Sequence, residues 1–174
     1  MKLEQRMQGI RLILSDVDGV LTDGGITYDN QGIEAKKFHV RDGFGIKLWQ
    51  MAGHKFGILT ARSSHIVKVR AAELGVSIVR QGFEDKLPAA MAVIAEQKLE
   101  PEQVCYIGDD LPDLHVLKAV GLAVAVADAV AAVKAVSHFT TKQQGGYGAV
   151  RELIETILTS QKRWSEFVVR YGGG

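Results

Sequence analysis

Two carboxylates two residues apart, Asp16 and Asp18 in DVDGVLTD, follow the apolar run Ile10 to Leu14. That run reads as a buried strand, so both acids leave a strand end. Side chains at i and i+2 of an extended segment point the same way, and Gly19 allows a tight turn after them. Three more polar signals follow other predicted strands: Thr60 after FGIL, Lys86 after the segment beyond SIV, and Asp109 with Asp110 after CYIG. Each alone has a plain structural reading. The acidic pair is then a hydrogen-bonded turn, Thr60 a cap, and Lys86 a solvated first-turn residue. Asp109 and Asp110 cap the helix from Leu111, and Asp113 is as readily a surface acid as support for a metal. Their order argues for a joint site, because ligands bind beyond the carboxyl ends of the strands in an open parallel sheet.

The chemistry such a set suits is attack on a phosphate monoester. The dianion repels an anionic nucleophile, so a carboxylate attacks only when cations neutralise the phosphate oxygens and hold it in line. Asp16 and Asp109 offer hard oxygen ligands suited to Mg²⁺, and Lys86 adds a second positive charge. Thr60 offers a hydroxyl beside the N–H groups of a helix starting near Ser63. Asp16 would form an aspartyl phosphate. Asp18 would protonate the leaving oxygen and then activate the hydrolytic water.

The elements that must position these groups alternate along the chain. Strands are predicted near 10–15, 55–59, 76–79, 104–108 and 121–126, and helices near 43–52, 63–74, 86–98, 111–119 and 147–160. This alternation implies a parallel sheet covered by helices. The last long helix is the clearest, since Val150, Leu153, Ile154, Ile157 and Leu158 share one face. After the first strand, ITY and EAKKF flank the turn DNQG and read as a projecting β-hairpin.

Composition sets the frame. The chain has 174 residues, 47% of them hydrophobic, enough for one sizeable core, and we expect a single domain over 1–174. A net charge of +1 gives no bulk attraction to nucleic acid or an acidic membrane. The single cysteine, Cys105, has no disulfide partner and lies in an apolar strand. MKLEQRMQG lacks a signal-peptide pattern, so a soluble, cytoplasmic protein is expected. The apolar stretch Ala119 to Val136 is interrupted by Gly121, Asp128 and Lys134 and reads as a strand followed by a helix. The five histidines lack zinc-ligand spacing, and Trp49 reads as packing. The tail, 161–174, reads either as a frayed terminus or as an arm to a neighbouring subunit.

DVDGVLTD, ILTAR, Lys86 and GDDLPDL together resemble the four motifs of the haloacid-dehalogenase-like phosphatases. The resemblance implies a Rossmann-like parallel sheet with helices on both faces and Mg²⁺ dependence. It also implies Asp16 as nucleophile, Asp18 as acid and base, and metal ligation by Asp16, the Asp18 backbone carbonyl and Asp109. FHVRDGFGIKL, QGFEDK, GLAVAVADA and GGYGAVRE are similar to the 3-deoxy-D-manno-octulosonate 8-phosphate phosphatases within that group. That subfamily is capless, its hairpin helps build a homotetramer whose subunits cover one another's sites, and its reaction belongs to lipopolysaccharide biosynthesis.

The resemblance assigns substrate contacts to Asp18 and Lys86, to the sugar-binding loop His39, Val40, Arg41, Asp42 and Gly43, and to Lys47, Arg62 and Arg70. The expected substrate is a phosphorylated keto-sugar acid, with arginines for the carboxylate. Three positions depart from the pattern: Lys47 stands for arginine, Ala61 for glycine, and Tyr147 for the arginine of GGRG. A nine-carbon keto-sugar acid 9-phosphate is the alternative substrate. A receiver-like signalling domain also combines Asp, Thr and Lys, but there the phosphoacceptor comes after the acidic pair. An inactive assembly module is opposed by the intact acidic motifs.

Overall fold

The structure is a computed structural model describing residues 2–173; Gly174, the end of the predicted tail, lies outside the described residues. In chain order the elements begin α1 (Leu3–Gln8), β1 (Leu12–Ser15), β2 (Thr27–Tyr28), β3 (Glu34–Ala35), α2 (Val40–Met51), β4 (Lys55–Thr60), α3 (His65–Leu74) and β5 (Ile78–Gln81). They continue with α4 (Lys86–Glu96), β6 (Val104–Gly108), α5 (Leu114–Ala119), β7 (Leu122–Ala125), α6 (Ala131–Val136), β8 (Phe139–Thr140), α7 (Ala149–Ser160) and α8 (Trp164–Arg170).

The main sheet runs β5-β4-β1-β6-β7-β8, and every pairing in it is parallel. Its central strands LILS, VCYIG and LAVA are buried at every residue, as strands covered on both faces must be. On one side α7 packs against α1, α2 and α8, while α4, α5 and α6 pack in succession as a second group. This is the helix-covered parallel sheet that the alternation implied, with helices on both faces as the resemblance implied. The chain builds outward from β1 through β4 and β5, then returns past β1 to build β6, β7 and β8. The carboxyl ends of β1 and β6 therefore flank the topological switch point, where an open α/β sheet leaves a ligand crevice.

β2 and β3 form the expected antiparallel hairpin. In α7 the predicted apolar face is fully buried. Three elements lay outside the sequence expectation: α1, the two-residue β8, and α8 within the presumed tail. Residues 164–170 are helical because Phe167 finds a buried seat and Trp164 packs against the core, with the Arg151 guanidinium 5.2 Å from its ring. Among the described residues no helix is long and apolar enough to cross a membrane.

Two residues of the expected sugar-binding loop hold packing positions in the fold. The Asp42 carboxylate, 1% exposed, accepts from the backbone N–H of Gly148 at 3.3 Å and of Arg151 at 2.8 Å, so α2 caps the start of α7 across the fold. Gly43 faces α3, and a Cβ there would overlap the Arg70 guanidinium. Asp42→Ala leaves two helix N–H groups without their acceptor and should cost about 1–3 kcal/mol. Urea unfolding checks this; unchanged stability would contradict the capping role.

Candidate active site

Asp16 continues β1 by one residue, its N–H donating to the Ile107 carbonyl at 3.1 Å and so extending the pairing with β6. One carboxylate oxygen accepts from the Val17 N–H at 2.6 Å and the other from Lys86 Nζ at 2.6 Å. Lys86 opens α4, whose cap is Asp85, and donates also to Asp113 Oδ1 at 2.7 Å. The Tyr106 hydroxyl donates to that same oxygen at 2.7 Å, while Asp113 Oδ2 accepts from the N–H groups of Asp109 at 2.9 Å and Asp110 at 3.3 Å. Lys86 is 2% exposed and Asp113 0%. Neither plain reading from the sequence holds: Lys86 is no solvated first-turn residue, and Asp113 is no surface acid.

The cluster carries more negative charge than its lysine balances. Burial, reinforced by Asp113, pushes Asp16 up to about 6 despite Lys86. Burial, together with Asp16 and Asp113, pushes Asp109 up to about 7. Lys86 is held above its ordinary value: burial opposes its charge, but the attraction of Asp16 and Asp113 prevails. Asp16 and Lys86 thus shift in the same direction, because Asp16 answers first to burial and then to Asp113, and Lys86 to two opposite charges.

Asp16, Asp109 and Asp113 each place a carboxylate oxygen within 4.8 Å of the others. An all-oxygen, anionic donor set fits a hard divalent cation such as Mg²⁺. The cradle is shaped by Gly19, at φ +86°, where any Cβ would overlap the Asp109 carboxylate. Asp113 already serves four protein donors, so Asp16 and Asp109 are the carboxylates with capacity left for a cation. Thr60 ends β4, buried, two residues past Ile58, the register partner of Ser15.

The hairpin folds back on this end of the sheet. Asp18 pairs through Oδ1 with Lys36, and its Oδ2 lies 3.7 Å from Arg62 Nε. Glu34 holds both cations, 3.2 Å from Lys36 Nζ and accepting from Arg62 at 2.9 Å, and its other oxygen accepts from the Ser64 hydroxyl at 2.7 Å. The Ser64 bond, helped by those cations, holds Glu34 down at about 2. Beside Asp18, the loop carrying GGYG lies against DVDG: a Cβ on Gly145 would run into the Gly19 carbonyl, and the Gly146 N–H donates to Val20 at 2.9 Å. Tyr147 receives Lys37 Nζ over its ring at 5.1 Å.

The remaining basic positions lie apart from the acidic cluster. His39 caps α2, its Nδ1 accepting from the Arg41 N–H at 3.2 Å. Val40 and Lys47 are exposed, and Arg41 is exposed beside an open cleft with Lys142, Tyr147 and Arg151. Arg70 pairs with Glu73 at 2.8 Å and covers the Phe38 ring. Arg62 alone of the proposed arginines meets Asp18. Sequence reasoning missed Tyr106, Lys36 and Glu34. A tyrosine inside the fully apolar VCYIG was the signal for the first; for the others, the alternation of EAKKF offered only a face.

Residues 76–154 match the family model described as haloacid dehalogenase-like hydrolase. The 3-deoxy-D-manno-octulosonate 8-phosphate phosphatase of Yersinia pestis is 45% identical over 91% of this chain and 85% of its own. That of Haemophilus influenzae is 39% identical over 98% of this chain and 94% of its own. The crystal structure of the Moraxella catarrhalis phosphatase of the same name, in complex with magnesium, phosphate and KDO, superposes with a TM-score of 0.95 at 40% identity, covering 97% of each chain.

The crowded carboxylates give a signed pH dependence. A carboxyl whose pKa rises on folding takes up protons between its unfolded and folded values, so its penalty is absent at low pH and complete above the folded value. The metal-free protein should therefore lose stability relative to Asp109→Asn as pH rises from 3.8 through about 7. Mg²⁺ displaces those protons, and its stabilising increment should grow over the same range. Melting temperatures with and without Mg²⁺ test this; an increment independent of pH would contradict it.

Proposed function

The chain belongs to the haloacid dehalogenase-like hydrolases, and within them to the 3-deoxy-D-manno-octulosonate 8-phosphate phosphatases, and on that footing we propose that it hydrolyses 3-deoxy-D-manno-octulosonate 8-phosphate to the free keto-sugar acid and phosphate. The observation that carries this reading is the division of labour between the two acids of DVDG. Asp16 is gripped inside the Lys86–Asp109–Asp113 cluster, while the carboxylate of Asp18 stands outside it.

In the proposed reaction an oxygen of Asp16 attacks phosphorus and the bond from phosphorus to the oxygen on carbon 8 breaks. Asp18 gives a proton to the departing alkoxide. Water then attacks the aspartyl phosphate, passing a proton to Asp18 and releasing phosphate and free Asp16. Mg²⁺, held by Asp16, Asp109 and the Asp18 backbone carbonyl, would neutralise charge on the phosphoryl oxygens. Lys86 would share that work, fixed in place by Asp113 and Tyr106. The Thr60 hydroxyl and the turn following it bind a further phosphoryl oxygen. Arg62, beside Asp18, lies nearest the leaving group; Arg41, Lys47 and Arg70 supply charge for the sugar acid from farther out. The reaction serves lipopolysaccharide biosynthesis in the cytoplasm.

The protein works as a single capless domain, 1–174, assembled into a homotetramer. Support comes from the hairpin, whose polar side is docked on Asp18 and Arg62 while Ile26 and Ile33 are 45% and 60% exposed. A pair of exposed β-branched residues beside an unpaired strand edge suits contact with a second subunit.

Asp16→Asn should abolish turnover, by about a thousandfold or more, with the melting temperature retained; persistent turnover would refute the aspartyl phosphate. Initial rates on the eight-carbon and nine-carbon keto-sugar acid phosphates decide the substrate, with preference for the nine-carbon compound overturning the first choice. A double change, Ile26→Glu with Ile33→Glu, should lower the mass seen by light scattering and raise KM. An unchanged mass would remove the hairpin from the assembly.

A further inference from the structure

We infer that Lys36 is the positioning residue that keeps the Asp18 side chain off the metal cluster and aimed at the leaving group; this rests on the proton-shuttle role proposed for Asp18. The problem it solves is local. Asp18 is two residues from Asp16, and its backbone carbonyl is proposed to serve the same metal. A free carboxylate on so short a tether, next to a divalent cation, would swing in and ligate, and an oxygen spent on metal is lost to proton transfer.

The hairpin supplies the counterforce. Lys36 follows β3 directly, and its side chain is 1% exposed, so its ammonium is desolvated and must be matched by nearby anions. It has two, Asp18 Oδ1 and Glu34 Oε1. Glu34 in turn is tied to Arg62 and to the Ser64 hydroxyl at the start of α3. The position of Lys36 is thus set from two directions, by its own strand and by the turn after β4. Arg62 stands at the second oxygen of Asp18 but is bound to Tyr28 and Glu34, and its guanidinium is 3.7 Å away. Lys36 makes the closer contact and carries the orienting role. Docking of the hairpin and readiness of the proton shuttle become one event, since a hairpin lifted from the site takes Lys36 with it.

Leaving groups distinguish this role from general scaffolding. An alkoxide must be protonated as it departs, whereas 4-nitrophenolate leaves without help. In Mg²⁺-saturating single turnovers, Lys36→Met should slow phosphate transfer from the sugar phosphate at least about tenfold and change that from 4-nitrophenyl phosphate by less than about threefold. Lys36→Arg should recover most of the loss, and Lys36→Gln carries the same test if methionine unsettles the hairpin. Equal losses on both substrates would make Lys36 a phosphate ligand or a folding residue, and no loss on either would make the pair incidental; both overturn the inference. Asp18→Asn run alongside keeps the two readings apart. If it retains full sugar-phosphate turnover, the shuttle role itself falls; if it is inactive while Lys36→Met is unaffected, only the inference about Lys36 falls.

Discussion

The buried contact of Lys86 with Asp16 and Asp113 governs the rest of the site. Removing a lone ammonium from water costs several kcal/mol, and so does removing a carboxylate, so neither survives at this depth without close and complete pairing. Here the pairing is geometrically full: Lys86 meets both carboxylates at 2.6 and 2.7 Å, and Asp113 is saturated by Tyr106 and two backbone N–H groups. It is electrically unbalanced. Three carboxylates against one ammonium leave two negative charges, the deficit a divalent cation fills. The raised values of Asp16 and Asp109 express the same deficit as a demand for protons in the metal's absence.

That arrangement requires distant chain segments to meet at one end of the sheet, and the strand order is what delivers them. β1 is central, so Asp16 leaves the sheet with β4 on one side and β6 on the other. Thr60 ends the first neighbour, the 108–113 turn follows the second, and Lys86 comes from the helix beyond β5. Tyr106 reaches Asp113 from within β6 itself, which converts a core strand into a wall of the site.

Much of this was legible in the sequence, for a definable reason. Asp16, Thr60 and Asp109 each mark the end of a strand whose apolar run announces itself, Lys86 opens the helix after β5, and a parallel sheet gathers such positions whatever the loop lengths. What was hidden depends on contacts between segments far apart in the chain. Asp42 sits in a motif that resembles a sugar-binding loop, yet its partners are N–H groups more than a hundred residues away. Lys36 and Glu34 look like two charges on an exposed hairpin until the hairpin is seen folded on Asp18. β8 is too short to produce a periodic signal, and α8 owes its order to a seat for Phe167 on other elements.

The same division separates reaction from selectivity. Asp16, Lys86 and Asp113, the centre of the proposed reaction site, are buried and mutually bonded at one end of the sheet, so their geometry is fixed before substrate arrives, as electrostatic preorganisation requires. The groups proposed to meet the sugar acid, Arg41 and Lys47, stand exposed, and Arg70 pairs with Glu73 at a surface. Exposed charges in water bind an anion weakly and with little geometric discrimination. They become selective when something excludes water around them. The proposed second subunit, laid over the hairpin, would exclude that water and complete the selectivity while leaving the buried chemistry untouched.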